Sequence, residues 1–170
     1  MLDDALPEPD LESRVNDRDH QALKLWLRLL ACTTRIEDQI RQRLRADFST
    51  TLPRFDLLAQ LERHPDGLSM RELSQRLMVT GGNITGLTDQ LVAEGWVERV
   101  VDGEDRRAMI IRMTRSGKKQ FSAMAEAHEQ WLEQLLAPLG AATARELYAQ
   151  LGKLRQTLAQ SHPSANAEEA

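Results

Sequence analysis

The hydrophobic positions of residues 23–44 follow the period of an α-helix. They recur three or four residues apart, which predicts one long amphipathic helix from about Asp19 to Ala46. One face of this helix is expected to pack, and the other to meet solvent. The apolar stripe consists of Leu23, Trp26, Leu30, Thr33, Ile36, Ile40 and Leu44. The opposite face carries five arginines, namely Arg28, Arg35, Arg41, Arg43 and Arg45.

Two short helices are predicted next. Residues 49–53, Ser-Thr-Thr-Leu-Pro, break the first pattern and place a proline near a first turn, so a second helix starts here and stops at His64. Ser69 and Glu72 have the spacing of a capping box, which predicts a third helix from Met70 to Leu77.

A fourth helix and a hairpin complete the middle of the chain. The helix is predicted from Thr80 to Glu94, with Gly95 as a left-handed stop. Residues 96–101 and 108–113 are β-branched or apolar enough for two strands, joined by a charged tip.

Two long helices are predicted after the hairpin. Residues 114–117, Thr-Arg-Ser-Gly, can cap a helix that runs to Pro138, and a last helix follows from about Thr143 to Ser161. The predicted fold class is therefore mainly α with a small β-hairpin. Helices, a tight turn and a hairpin in this order indicate a winged helix-turn-helix domain.

Composition indicates a soluble protein. Hydrophobic residues make up 41% and charged residues 28%, and no apolar run approaches the roughly 20 residues of a membrane span. The acidic N-terminus lacks the pattern of a signal peptide, and a single cysteine cannot build a disulfide framework. We therefore expect a cytoplasmic protein without a membrane partner.

The net charge of −4 is unevenly distributed. Residues 1–20 carry −5 and residues 161–170 carry −2, which leaves +3 for the residues between them. Because phosphate contacts depend on where lysine and arginine lie, an acidic total does not exclude DNA binding.

Two adjacent glycines, Gly81 and Gly82, open the fourth helix, although glycine costs a helix interior about 1 kcal/mol relative to alanine. A helix N-terminus attracts phosphate through its N–H groups, and bare glycines let that backbone approach DNA closely. Thr80, Asn83 and Thr85 add short hydrogen-bonding side chains. The alternative is that the glycines only make the turn. A nucleotide-phosphate loop is disfavoured, because no G-x-G-x-x-G or Gly-Lys-Ser/Thr motif is present.

The predicted hairpin carries arginines at its tip. Arg106 and Arg107 can reach a minor groove, and Asp105 beside them can hold one guanidinium by a charge-assisted bond. The alternative is a solvated polar turn. A glycine-containing helix followed by an arginine-tipped hairpin favours DNA binding more than either feature does alone.

Residues 68–117 resemble the winged-helix core of MarR-type transcription regulators. The resemblance is carried above all by Asp105-Arg106-Arg107 followed by Met113-Thr114-Arg115-Ser116-Gly117. It implies a homodimer on a pseudo-palindromic operator of double-stranded DNA, usually a repressor released by a small aromatic acid. It also implies a domain division. The expected parts are an acidic N-terminal extension (1–18), an N-terminal dimerisation helix (19–50), a DNA-binding lobe (51–117), C-terminal dimerisation helices (118–161) and a frayed tail (162–170).

The resemblance also assigns the DNA contacts. The fourth helix becomes the recognition helix, Arg107 the minor-groove residue and Asp105 its positioning partner. The recognition helix has no lysine or arginine, so affinity is expected to depend on the wing and on basic residues nearby. The predicted DNA-binding residues are Arg71, Arg76, Thr80, Gly81, Gly82, Asn83, Thr85, Asp105, Arg106, Arg107 and Arg115.

Residues 25–37, 50–56 and 79–87 resemble members that control breakdown of aromatic or hydroxycinnamic acids, where some effectors are coenzyme A thioesters. Trp26 can stack on a ring, while Arg28, Arg35 and Arg54 can bind carboxylate or phosphate. The alternative is that Trp26 packs in the core and the arginines are solvated.

Other functions have less support in the sequence. Cys32 lies in an apolar helix and is expected to be buried, although some MarR-type regulators sense oxidants through a cysteine in the first helix. The four histidines lack metal-ligand spacing, and no nucleophile with a base is evident, so we expect no metal, no cofactor and no enzyme. A helical adaptor would leave the arginine tip unexplained.

Overall fold

The computed structural model describes residues 20–77, 80–101 and 109–161. In chain order the elements are α1 (Gln21–Phe48), α2 (Leu52–Glu62), β1 (Leu68–Ser69), α3 (Met70–Leu77), α4 (Gly81–Ala93), β2 (Val97–Val101), β3 (Met109–Met113), α5 (Arg115–Leu136), a short 3-10 helix (Ala137–Leu139) and α6 (Ala141–Ser161). The predicted fold class is confirmed, and most predicted boundaries lie within two residues of the observed ones. The chain divides into two compact units, with the boundary inside α5 between Glu126 and Ala127.

Helix α1 is buried only near its C-terminal end. Ile40 and Leu44 are in the core, whereas Leu23, Trp26 and Leu30 of the same predicted stripe are exposed. Within a single chain, the predicted apolar stripe therefore packs only at its C-terminal end. Trp26 is 58% exposed, so it is not part of the core of its own chain.

The core of the first unit lies where α2, α3, α4 and the sheet meet. It is built mainly from Leu, Ile and Val side chains, since each of these elements buries one face. The most deeply buried members are Leu44, Leu57, Leu58, Leu61, Leu73, Ile84, Leu91, Val97, Ile111 and Met124. The rings of Phe55 and Phe121, 5.4 Å apart, extend this core between α2 and α5.

The predicted capping box at the start of α3 is confirmed. The amide of Glu72 donates to Ser69 Oγ at 3.2 Å, and the amide of Ser69 donates back to Glu72 Oε2 at 2.8 Å. The bond from the Ser69 amide, with that from the Ser69 hydroxyl, lowers the pKa of the Glu72 carboxyl.

The sheet has three antiparallel strands in the order β1-β3-β2. Val97 pairs with Met113 and Val101 with Met109, so the two predicted strands pair as in a hairpin. Strand β2 starts one residue later than predicted, and the predicted first residue of β3, Ala108, lies outside the described residues. The third strand, β1, was not predicted because two residues are too short to show an alternating pattern. Gly67 precedes it at φ +100°, where a Cβ would lie 2.7 Å from the Ile111 carbonyl oxygen.

The end of α4 is joined to α5 through Trp96. Gly95 has the predicted left-handed backbone, φ +71°, and the Trp96 amide donates to the Leu91 carbonyl as in a Schellman motif. The Trp96 carbonyl in turn accepts from the Thr114 amide at 3.0 Å. Gly117 lies so close that an added Cβ would be 1.9 Å from this oxygen. This joint holds the end of α4 against the first turn of α5.

The second unit contains the last turns of α5, the short 3-10 helix and α6. The last helix starts at Ala141, two residues before the predicted start. It exposes large apolar side chains, which are Leu147, Tyr148, Leu151 and Leu158. None of the helices in the described ranges combines the length and apolar character needed to cross a bilayer.

Candidate nucleic-acid interface

Helix α4 presents an open N-terminus. Thr80 precedes it in extended backbone, with φ −67° and ψ 152°, and its side chain makes no capping hydrogen bond. The first intrahelical bond runs from the Ile84 amide to the Thr80 carbonyl. The amides of Gly81, Gly82 and Asn83 therefore have no acceptor within the helix, and they carry the partial positive charge of its N-terminus.

Among the described residues, neither backbone conformation nor packing requires glycine at this end of α4. Gly81 and Gly82 are absent from the residues with positive φ, unlike Gly67, Gly95 and Gly140. A Cβ on Gly81 or Gly82 would meet no described atom within 4 Å. The turn alone therefore gives no reason for glycine here, and close approach of another molecule stays the prediction that accounts for it.

Three residues form the inner face of α4, namely Ile84, Thr88 and Leu91, which are all buried. The Thr88 hydroxyl donates to the Ile84 carbonyl at 2.8 Å, which satisfies a polar group in the core. Leu87, which helical spacing also places toward the domain, is only half-buried.

The polar residues near the start of α4 are exposed. Asn83 and Thr85 both face solvent, as a role in base or phosphate contacts requires. The Thr85 hydroxyl donates to the Gly81 carbonyl at 2.9 Å, so in this arrangement it offers DNA an acceptor and a methyl group.

A groove of about 340 Å³ runs along α4 beside the start of α2. Its lining combines glycines, two amides and two apolar side chains, namely Pro53, Gly82, Asn83, Gly86, Leu87 and Gln90. Gly86 and Gln90 were missed from the sequence. Their signal was present, because Gly86 lies four residues after Gly82 and Gln90 seven after Asn83, which places each pair on one helix face.

Exposed basic side chains lie on the helices that precede and follow α4 in the sequence. Arg71 and Arg76 of α3 are exposed, and so is Arg115, the first residue of α5. Lys118 and Lys119 in the same turn of α5 are also exposed and were missed from the sequence. All five can reach solvent anions.

The predicted wing residues Asp105, Arg106 and Arg107 lie outside the described residues, so their roles stay predictions. The strands that carry them are described, and β2 is tied to α4. Arg99 of β2 donates through Nη2 to Asp89 Oδ1 of α4.

The predicted effector residues have different surroundings. Trp26 and Arg35 are exposed on α1, and Arg28 lines a cavity of about 190 Å³ together with Gln21, Lys24 and Leu25. Arg54, in contrast, is only 8% exposed.

Arg54 is engaged at the C-terminal end of α4. Its Nη2 donates to Glu94 Oε2, and its guanidinium carbon lies 5.1 Å from the ring centroid of Trp96. Arg54 was expected to be either solvated or available to a ligand. In the structure it is neither, because its side chain binds Glu94 and so links α2 to the end of α4.

A charged cluster on α1 lies close to Asp56 of α2. Arg41 pairs with Glu37 at 2.7 Å and with Asp38 at 3.1 Å. Burial raises the pKa of the nearby Asp56 carboxyl, Glu37 raises it further, and Arg41 partly offsets both effects.

Cys32 is exposed, so the expectation that it is buried is wrong. Leu29 and Ile36 near it on α1 are only half-buried in a single chain, which leaves the thiol open to solvent. Among residues 20–77, 80–101 and 109–161, no three His, Cys, Asp or Glu residues are grouped to hold a metal ion.

Sequence comparison finds relatives among transcription regulators. The model of the MarR family matches residues 48–108. The transcriptional activatory protein BadR of Rhodopseudomonas palustris is 31% identical over 107 residues, covering 62% of this chain and 61% of BadR, which is less than two thirds. The HTH-type transcriptional regulator PecS of Dickeya dadantii is 26% identical over 123 residues, covering 71% of this chain and 74% of PecS.

Solved structures share the fold over most of the chain. A MarR family transcriptional regulator from Silicibacter pomeroyi is 30% identical with a TM-score of 0.71, covering 85% of this chain and 99% of that one. Apo wild-type MarR from E. coli has a TM-score of 0.68 at 23% identity, covering 75% of this chain and 94% of that one.

Proposed function

Because the chain belongs to the MarR family of transcription regulators, we propose that it represses aromatic-acid catabolism genes and is released by an aromatic acid or its coenzyme A thioester. Members of this family are DNA-binding proteins with a winged helix-turn-helix fold, and they are not enzymes. The observation that supports the DNA-binding surface is the open start of α4, where neither conformation nor packing against the described residues requires Gly81 or Gly82.

In this proposal α4 enters the major groove N-terminus first. The amides of Gly81 and Gly82 approach a phosphate, while Asn83 and Thr85 contact base edges or the backbone. Arg71, Arg76 and Arg115 bind phosphates, and Arg107, positioned by Asp105, enters the minor groove beside Arg106. Such a regulator acts in the cytoplasm, where its DNA lies.

The exposed apolar faces support a homodimer. Leu23, Trp26 and Leu30 lie along one stripe of α1, and α6 exposes Tyr148 at 83% together with neighbouring leucines. Apolar surface of this extent on terminal helices is typical of an interface with a second copy. In this arrangement residues 19–50 and 118–161 form the dimer, and residues 51–117 form the DNA-binding lobe of each chain.

The effector is proposed to bind between these parts. Trp26 stacks on the aromatic ring, and Arg28 and Arg35 bind its carboxylate or the phosphates of coenzyme A. Arg54 can bind the ligand only if its ion pair with Glu94 breaks. A ligand that alters the separation of the two recognition helices spoils their match to half-sites about 34 Å apart, and the operator is released.

Fluorescence anisotropy with DNA from upstream of the coding region tests this proposal. Benzoate, hydroxycinnamates and their coenzyme A thioesters are added to the complex, with acetyl-coenzyme A as the control for the carrier. We expect an aromatic ligand to weaken operator binding, and Trp26→Ala to abolish that response without abolishing DNA binding. Unchanged affinity with every ligand would refute the effector proposal. Because BadR is named an activatory protein, a reporter gene must establish the sign of regulation.

The exposure of Cys32 favours one second candidate, a redox-sensing regulator. Oxidation of the thiol would then release the operator in place of a ligand. Peroxide should abolish DNA binding by the wild-type protein and leave Cys32→Ser unaffected. Equal responses of the two proteins would rule this candidate out.

A further inference from the structure

Asp89 is the one charged residue in the sequence of α4, which the proposed function lays in the major groove. A carboxylate at this position repels phosphate, so its neutralisation bears directly on DNA binding. Arg99 of β2 supplies the opposite charge through the bond from Nη2 to Asp89 Oδ1. The pair therefore joins the recognition helix to the first strand of the hairpin.

Arg99 lies on the inner face of the hairpin, at the position where that face becomes exposed to solvent. Val97, two residues earlier on the same face, is buried, and Ile111, the partner of Arg99 across the ladder, is fully buried. The side chain of Arg99 is 36% exposed and that of Asp89 is 56% exposed. Since an ion pair this exposed contributes little to stability, its main consequence is for molecules that approach this surface.

In a complex of the proposed kind, the junction of α4 and β2 would face the phosphodiester strand between two grooves. A recognition helix in the major groove and a hairpin in the adjacent minor groove lie on either side of that strand. Arg99 lies at the point where the helix and the hairpin meet. Its planar guanidinium carries five N–H donors, so the edge that holds Asp89 leaves donors for a second anion.

We propose that Arg99 is a phosphate-binding residue and that Asp89 neutralises it in the DNA-free protein. This inference rests on the proposed DNA-binding function. In the complex Arg99 binds the phosphate between the two grooves, and Asp89 restrains affinity for DNA of any sequence. Arg99 therefore adds one phosphate contact per half-site to those assigned above.

The test measures operator and random-DNA affinity over a salt series for the wild type, Arg99→Gln and Asp89→Asn. Two control variants make the same charge changes elsewhere in this lobe. Arg63→Gln removes a positive charge before β1, at the opposite edge of the sheet from β2. Glu98→Gln removes a negative charge from the opposite face of β2. Thermal unfolding of each variant excludes loss of folded protein as the cause.

The two variants of the pair should act in opposite directions. Arg99→Gln weakens binding and reduces the salt slope by about 0.9 per half-site, or roughly 2 per dimer, so the wild-type advantage shrinks about tenfold between 50 and 200 mM salt. Asp89→Asn tightens binding to operator and random DNA alike, by about threefold or more. The control variants keep the wild-type slope.

A purely structural ion pair gives a different result. Both substitutions break the same contact, so both would weaken binding alike and leave the slope unchanged. Either finding, in a wild type that binds DNA with salt dependence, would overturn the role of Arg99 and leave the proposed function standing. A wild type that binds no DNA at any salt concentration would refute both.

Discussion

Replacing Gly82 by alanine should raise the stability of the folded protein and weaken its binding to DNA. The glycine is in the first turn of α4, its φ is not positive, and a Cβ there meets no described atom within 4 Å. Alanine therefore fits the folded chain and restricts the unfolded one, which stabilises a protein by about 0.4–1 kcal/mol. For a chain of this size that corresponds to a rise in Tm of roughly 1–4 °C.

The same substitution should weaken DNA binding. If the backbone of α4 approaches a phosphate or a base edge closely, the added methyl group must push the helix away, at about 1–3 kcal/mol for an overpacked contact. Because 1.4 kcal/mol is a factor of ten, we expect the Kd for operator DNA to rise about tenfold. Anisotropy measures the Kd, and differential scanning fluorimetry measures the Tm.

Gly152→Ala is the matched control for this experiment. Gly152 is within α6, and a Cβ there likewise meets no described atom within 4 Å. We expect this variant to gain stability and, with the wild-type assembly state verified by sedimentation, to keep the wild-type Kd. A Gly82→Ala protein that is more stable and binds operator DNA as tightly as wild type would refute the close approach of α4 to DNA.

Three further predictions concern packing, ionisation and assembly. Gly117→Ala should cost about 1–3 kcal/mol or more, because its Cβ would lie 1.9 Å from the Trp96 carbonyl oxygen, and a denaturation midpoint equal to wild type would contradict this. Asp56→Asn should raise Tm at pH 7, because burial raises the pKa of the Asp56 carboxyl, so that folding stability is lost as pH rises through the folded-state pKa. The gain should vanish below pH 3.8, the ordinary pKa of an aspartate carboxyl, because the group is then protonated in both states, and a gain that persists there would exclude ionisation as its cause. Leu30→Ser should shift sedimentation toward monomer at low micromolar concentration if the exposed stripe of α1 is a dimer interface, and an unchanged distribution would place the interface elsewhere.

The local signals along the sequence were strong enough to predict most elements. The capping box at Ser69 and Glu72 and the left-handed Gly95 each act within a few residues, so their pattern specifies one geometry. The hairpin strands were visible because they are β-branched and apolar. Strand β1 was missed because its two residues depend on pairing with Ile110 and Ile111, more than forty positions later in the chain.

The surroundings of single side chains were harder to predict. Trp26 continues an apolar stripe, but periodicity cannot show whether the described part of its own chain covers it, and in the structure it is exposed. Arg54 has the composition of a ligand-binding residue, yet its partners Glu94 and Trp96 lie some forty positions away. The pair of Asp89 and Arg99 is also set by the packing of β2 on α4, which no local pattern reveals.

The central claim is specific DNA binding by the winged helix, and one titration tests it most directly. The wild-type protein and Arg107→Ala are titrated by fluorescence anisotropy against DNA from upstream of the coding region, with random DNA as competitor, over a salt series. The account predicts tight wild-type binding that falls as salt rises and that weakens without Arg107. Wild-type binding no tighter than to random DNA, together with an unchanged Kd for Arg107→Ala, would contradict it.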